Sequence, residues 1–373
     1  MAPALPSFLD LPDYPWNAME PYRAVASSHA DGIVDLSIGS PVDATPQIVR
    51  DALVQATDAH AYPLTTGTSE LSSSIVSWFA RRRGVTGLTT AQVLPTIGSK
   101  EFVAWLPIML GLKSGDIVVH PTAAYPTYEI GAVMAGATAL AEDNPAKWPA
   151  ATKLVWLNSP GNPDGSVLTA EHLRACVVRA RELGAVLVSD ECYAELGWDA
   201  PWGSERIPSL LADEVRGGLF DNLLCAYSLS KQSNMAGYRA SFIAGSADLI
   251  APLTNIRRQA GMMVPEPVQR AMTVALGDDN HVAAQREIYR ARRNVLKPAL
   301  ESAGFRIDHS EAGLYLWATE GRDAWDSIDR LAHLGILGGP GHFYGTHYPN
   351  HIRLSLTATD ERIHSAVDRL RQA

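Results

Sequence analysis

Cysteine, positive charge and long apolar runs are all scarce in this chain, and each scarcity excludes something. Cys176, Cys192 and Cys225 are the only three cysteines in 373 residues. They are too few and too scattered for a disulfide framework. No C-x-x-C pair or histidine cluster with metal-ligand spacing accompanies them, so no metal site is expected and a reducing compartment is. Lysine and arginine total 31 against 40 aspartates and glutamates, for a formal charge of −9 and a pI near 5.7. That balance offers no electrostatic footprint for nucleic acid or an anionic membrane. No apolar run approaches the roughly 20 residues of a membrane span, and Met1-Ala2-Pro3-Ala4-Leu5-Pro6 lacks the basic and apolar segments of a secretory signal. A cytoplasmic protein acting on a small soluble molecule is the expectation.

What is present is an α/β pattern. The length exceeds what one compact core usually holds, so two domains are expected, and an apolar fraction of 46% is ordinary for a globular protein. Short β-rich runs at 92–97, 116–120, 153–157, 185–189, 223–227 and 241–244 alternate with helical patterns such as 101–112 and 171–183. This alternation predicts a mainly parallel sheet covered on both faces by helices. Near residue 283 the character changes to a charged helix over 285–302, then Gly313-Leu314-Tyr315-Leu316-Trp317, a glycine-dense loop over 338–349 and an apolar run over 351–356. The expected division is a large domain over 44–282, with 1–43 as an N-terminal arm on a smaller α+β domain formed by 283–373.

The chemistry centres on Lys231. It closes Ser228-Leu229-Ser230-Lys231 directly after the apolar run Leu223-Leu224-Cys225-Ala226-Tyr227, and Arg239 follows in Gly237-Tyr238-Arg239. Burial and neighbouring positive charge depress a lysine pKa and make its amine a nucleophile toward aldehydes. A surface lysine after a strand fits the same four residues.

Other constellations fall at expected strand ends, where open α/β sheets hold ligands. Gly98-Ser99-Lys100 leads from a strand into an apolar helix. It is either a phosphate cradle of backbone N–H groups and a serine hydroxyl, or a glycine turn with a serine cap. Tyr125, braced by Pro126, could stack on a planar heterocycle or pack in the core. Asn158-Ser159-Pro160-Gly161-Asn162-Pro163-Asp164-Gly165 is an ordinary turn or a rigid mount for amide donors. Asp190 ends an expected central strand just before Tyr193. A carboxylate buried there calls for a cation, for which a pyridinium nitrogen, a salt bridge or a helix cap would serve. Arg353 alternates with apolar residues in His351-Ile352-Arg353-Leu354-Ser355, as a carboxylate-binding fork or a surface ion pair.

In this order, from about Val34 to the C-terminus, the segments resemble the fold-type I pyridoxal-phosphate enzymes, specifically the class I/II aminotransferases. The resemblance implies pyridoxal 5'-phosphate as cofactor and Lys231 as its Schiff-base lysine. It implies Asp190 at the pyridine nitrogen, Asn162 and Tyr193 at the phenolic oxygen, and Tyr125 on the ring. Gly98, Ser99, Lys100, Ser228 and Arg239 would surround the phosphate, with Tyr62 reaching it from a second subunit of a homodimer with shared active sites. Arg353 would bind the substrate carboxylate, backed by Gly39 and Asn162.

The second arginine of aspartate-specific relatives has no counterpart in Gln259-Ala260-Gly261-Met262-Met263, and Arg257 and Arg258 are offset. Leu11-Pro12-Asp13-Tyr14-Pro15-Trp16, Val155-Trp156-Leu157-Asn158-Ser159-Pro160, the run from Ser310 to Thr319 and that from Leu356 to Arg362 resemble the bacterial N-succinyldiaminopimelate aminotransferases. That resemblance implies ping-pong transfer from N-succinyl-LL-2,6-diaminopimelate to 2-oxoglutarate, a step toward diaminopimelate and lysine. Transamination of another amino acid, and β-elimination from cysteine S-conjugates, use the same residues and remain open. A ligand-sensing regulator would need a DNA-binding module, for which the arm leaves no room.

Overall fold

The computed structural model describes residues 9–372; the first eight residues of the expected arm, and Ala373, lie outside the described residues. Its strands are β1 (Val34–Asp35), β2 (Val93–Ile97), β3 (Ile117–His120), β4 (Thr138–Ala141), β5 (Thr152–Asn158), β6 (Val186–Asp190), β7 (Leu223–Ser228), β8 (Ala240–Gly245), β9 (Arg306–Asp308), β10 (Tyr315–Thr319), β11 (Ile336–Leu337), β12 (Gly339–Pro340) and β13 (His351–Ser355). β2 to β8 form one seven-stranded sheet in the order β2-β8-β7-β6-β5-β3-β4. All of its pairings are parallel except those of β8, which runs antiparallel to both neighbours.

Alternation along the central strands explains the layers, because successive side chains point to opposite faces. Leu187, Leu223, Cys225, Tyr227 and Phe242 pack with Trp78, Phe79 and Leu173 on one face. Val188, Leu224, Ala226 and Ile243 pack with Phe102, Tyr128 and Trp156 on the other. Six strands lie within a residue of their expected positions. The seventh, β4, was not expected: Thr-Ala-Leu-Ala is poor in β-branched and aromatic residues, and as an edge strand it is only partly buried.

A third core, with Val34, Leu36, Leu296, Leu316, Ile352 and Leu354, joins the N-terminal segment to the C-terminal third. There β12-β13-β10-β9 make an antiparallel sheet, and β1 pairs in parallel with β11. The helix expected over 285–302 runs from Asn280 to Ser302. Its earlier start follows from Asp278, whose carboxylate accepts from the N–H groups of Asn280 and His281, each at 3.2 Å. Separate cores support, as a proposal, the division into 44–282 and 1–43 with 283–373. Among the described residues no helix is long and apolar enough to cross a membrane.

One ion-pair system sits directly behind the end of β6. The helix Ser69–Trp78 ends in a widened turn over Phe79–Arg83 that fans out three consecutive arginines. Arg81 pairs with Asp279 at 3.0 Å, Arg82 with Glu195, and Arg83 with Glu191 at 2.8 Å. Arg83 and Glu191 are each only 1% exposed. The second Glu191 oxygen accepts from Ser209 Oγ at 3.1 Å and Leu210 N at 2.8 Å, so the buried charge is fully hydrogen-bonded. Arg83→Ala leaves Glu191 buried without its cation and is expected to cost about 3–5 kcal/mol in denaturant unfolding. Arg306→Ala, on the surface pair with Asp308, should shift the midpoint little.

Candidate active site

A cavity of about 690 Å³ opens where β3, β5, β6 and β7 end, roofed by residues 11–16 and 342–346. Parallel register delivers the first residues: Asn158 lies opposite Asp190, and Asp190 opposite Ala226. Every sequence-expected site residue except Tyr62 lines the cavity or packs against it.

Lys231 stands on the short helix Leu229–Gln232, started by Ser228, whose hydroxyl accepts from Ser230 N at 3.1 Å. Its amine donates to the carbonyl of Gly39. Burial pulls its pKa below the ordinary lysine value. Arg353 and Arg239 act in the same direction, and Tyr315 and Cys192 oppose it. The surface-lysine alternative is thereby excluded.

Asp190 is 7% exposed, and among the described residues no cation pairs with it. It accepts from Tyr128 Oη at 3.0 Å and from Cys192 N at 3.2 Å. Burial raises its pKa although both hydrogen bonds act to lower it. The salt-bridge alternative therefore fails, and the carboxylate faces the cavity without a counter-charge.

Arg353 on β13 is 3% exposed and, among the described residues, makes no ion pair. It donates to Asn162 Oδ1 at 2.8 Å and to the Ser37 carbonyl at 2.6 Å. Rings of Tyr315 and Tyr344 lie on it, with centroids 4.0 and 4.8 Å from its Cζ. Asn162 is held in turn by its N–H, which donates to Asn158 Oδ1 at 2.8 Å. Gly39 is glycine for space: a Cβ there would come within 2.2 Å of Tyr315 Oη.

Tyr193 and Tyr315 bring their hydroxyls within 3.2 Å. Burial pushes Tyr193 well up. For Tyr315 burial also acts upward, but the Arg353 and Lys231 charges and the Tyr193 hydrogen bond outweigh it and the net direction is down.

At the other end Gly98, with φ of +78°, begins the helix Ser99–Met109. A Cβ on Gly98 would lie 2.0 Å from Arg239 Nη2, so a guanidinium, a helix start and the Ser99 and Ser228 hydroxyls share one corner. Tyr125 lines the wall, its hydroxyl pushed up to about 12 by burial. Lys100 is exposed at the mouth, 5.7 Å from the Tyr14 ring. The arm reaches this roof through Trp16, whose ring lies 5.2 Å from that of Phe343. Tyr62 is 93% exposed and away from the cavity of its own chain.

Sequence reading assigned no role to Tyr128, Tyr315 or Ser37, and gave Asn158 only as one of two amide donors on a rigid turn. Tyr128 had a usable signal, lying three residues beyond Tyr125 and hence one helical turn on. Tyr315 and Ser37 had none, because only the meeting of distant segments gives them neighbours.

Comparison with known proteins defines the class first. The architecture is that of fold-type I pyridoxal-phosphate enzymes, and a probable N-succinyldiaminopimelate aminotransferase from Thermus thermophilus superposes with a TM-score of 0.86 at 26% identity, covering 96% of this chain and 100% of that one. The defining pattern of aminotransferase class I and II matches residues 31–370, and the chain belongs to that pyridoxal-phosphate-dependent family. It is 51% identical to the 4-dedimethylamino-4-oxo-anhydrotetracycline transaminase OxyQ of Streptomyces rimosus, over 97% of this chain and 99% of that protein. It is 31% identical to the LL-diaminopimelate aminotransferase of Aquifex aeolicus, over 97% and 96% of the two chains.

The uncompensated Asp190 gives a stability test. Its folded pKa lies above the ordinary carboxylate value, so ionisation costs the folded apoprotein stability as pH rises. Asp190→Asn apoprotein should therefore be at least as stable as wild type at neutral pH. The gap should close as pH falls through the raised folded value and on below the ordinary aspartate value of about 4, where the carboxylate is protonated folded or unfolded. With cofactor loaded the order should reverse, as thermal melts of both forms will show.

Proposed function

We propose that this aminotransferase moves the amino group of N-succinyl-LL-2,6-diaminopimelate to 2-oxoglutarate. The observation carrying the reading is Arg353: a buried guanidinium with no carboxylate partner among the described residues, fixed by Asn162 and Ser37 and opening on the same cavity as Lys231. A carboxylate-bearing substrate supplies the missing charge. Gln259 to Met263, where aspartate-specific relatives carry a second arginine that reaches in from the partner subunit, hold no arginine, which supports a side chain longer than that of aspartate or bound differently. The name of the Thermus neighbour and the sequence resemblance support the acyl substrate.

The residues fit the cofactor. Asp190 lacks the cation that a pyridinium nitrogen provides, and the corner at Gly98, Ser99, Lys100, Ser228 and Arg239 suits a phosphate. Tyr193 and Asn162 are assigned to the ring oxygen and Tyr125 to the ring face. When bound, pyridoxal phosphate supplies an aldehyde that carries the amino group and a ring that draws off electrons. Arg353, backed by Gly39, holds the substrate carboxylate and so directs the α-carbon toward Lys231. The Lys231 amine, more readily deprotonated because it is buried, takes the α-proton and later returns it as general base and acid. The aromatic roof of Tyr14, Trp16 and Phe343 limits water. Exposed Tyr62, with Leu64 and Val54 at 61% and 69% exposure, fits a homodimer in which Tyr62 reaches the partner's phosphate corner.

A second reading has its own support. The aromatic roof and wall suit a flat polycyclic ketone of the kind named for the Streptomyces relative, which shares 51% of its residues. Single-turnover absorbance of the loaded enzyme decides between them. The proposed substrate should discharge the visible band and 2-oxoglutarate restore it, with ping-pong kinetics overall. A band that responds only to the polycyclic amine favours the second reading, and pyruvate formed from cysteine conjugates without a keto acid marks β-elimination. Arg353→Ala should raise KM for donor and acceptor alike, by about 2–5 kcal/mol in binding. Lys231→Ala should abolish turnover.

A further inference from the structure

Tyr315 is used by none of the roles above, yet it touches three of their residues. It starts β10, and the antiparallel register sets it opposite Ser355 while Arg353 lies opposite Trp317. Tyr315 and Arg353 are thus diagonal neighbours on one face of the sheet, a placement fixed by backbone pairing. The Tyr315 ring covers the guanidinium, with its centroid 4.0 Å from Cζ. Its hydroxyl stands 3.2 Å from that of Tyr193, and the two rings meet edge to face at 5.7 Å. Gly39, whose carbonyl takes the Lys231 amine, is the one residue small enough to lie against that hydroxyl.

We propose that Tyr315 is a positioning residue that joins the carboxylate grip of Arg353 to the hydroxyl of Tyr193, its ring holding the guanidinium and its phenol oxygen holding Tyr193. The inference rests on the carboxylate role assigned to Arg353. The charged and titratable groups around Tyr315 are Arg353 from β13, Lys231 from beyond β7, and Tyr193 and Cys192 from beyond β6, with Tyr125, Tyr289 and Tyr344 farther out. The Arg353 charge favours the phenolate form of Tyr315, which makes Tyr193 the favoured donor across the 3.2 Å contact. A carboxylate that neutralises Arg353 weakens that preference, and substrate arrival is thereby felt at Tyr193.

Two substitutions separate the two halves of this link. Tyr315→Phe keeps the ring and loses the oxygen. In the loaded enzyme it should leave the 2-oxoglutarate dissociation constant within about twofold, while moving the pH midpoint of the visible absorbance by roughly half a unit or more and lowering kcat. Tyr315→Leu loses the ring as well, and should weaken 2-oxoglutarate binding by roughly two- to thirtyfold, the range of a cation–π contact. Denaturation profiles like that of wild type establish that both variants fold. An unmoved midpoint in Tyr315→Phe, or wild-type binding in Tyr315→Leu beside a weakened Arg353→Ala, overturns the inference alone. Wild-type binding by Arg353→Ala overturns the carboxylate role and the inference with it.

Discussion

Asn158, Asp190 and Ala226 lie abreast at the carboxyl edge of three parallel strands, and the rest of the site takes its positions from that line. Strand register is a discrete choice: a slip of one residue would turn Asp190 into the core and an apolar side chain into the cavity. The choice is enforced from both faces, since Leu187 and Val188 belong to different cores. It is enforced from behind by the Arg83–Glu191 pair. Asp190 thus stays in a place where its own charge is unfavourable, because its neighbours on every side have better reasons to stay.

Two kinds of residue meet around this edge. Lys231, Asp190, Asn162 and Tyr193 lie at or just beyond strand ends of the seven-stranded sheet, with Tyr193 also packed in the third core. Arg353, Tyr315 and Gly39 come from the ends of the chain and arrive through the third core. The cavity lies on the seam, so Lys231 follows a strand of one sheet and Arg353 stands on a strand of another. The Arg353–Asn162 hydrogen bond spans that seam directly.

The fold was legible because its main strands are buried on both faces and read as short apolar runs between helical periods. β4 escaped because an edge strand of small residues carries neither signal. Lys231, Asp190 and Arg353 could be singled out because each is an expensive residue in an apolar setting. The contacts that explain them could not: Tyr128 to Asp190 crosses 62 positions and Arg353 to Ser37 crosses 316, and no local pattern encodes such pairings. Substrate choice was the least legible of all, because the roof is assembled from residues 11–16 and 342–346, which meet only in the folded chain.

Those separations also bear on how the protein is made. The Lys231 amine meets the Gly39 carbonyl across 192 positions, and Arg353 meets Ser37 across 316, so the site is among the highest contact-order features of the molecule. During synthesis the central sheet emerges well before β13 does. A nascent chain carries Lys231 for the time needed to translate more than a hundred further codons before Arg353 can join it. Lys231 and Arg353 therefore come to share one cavity only after β13 has paired with β10.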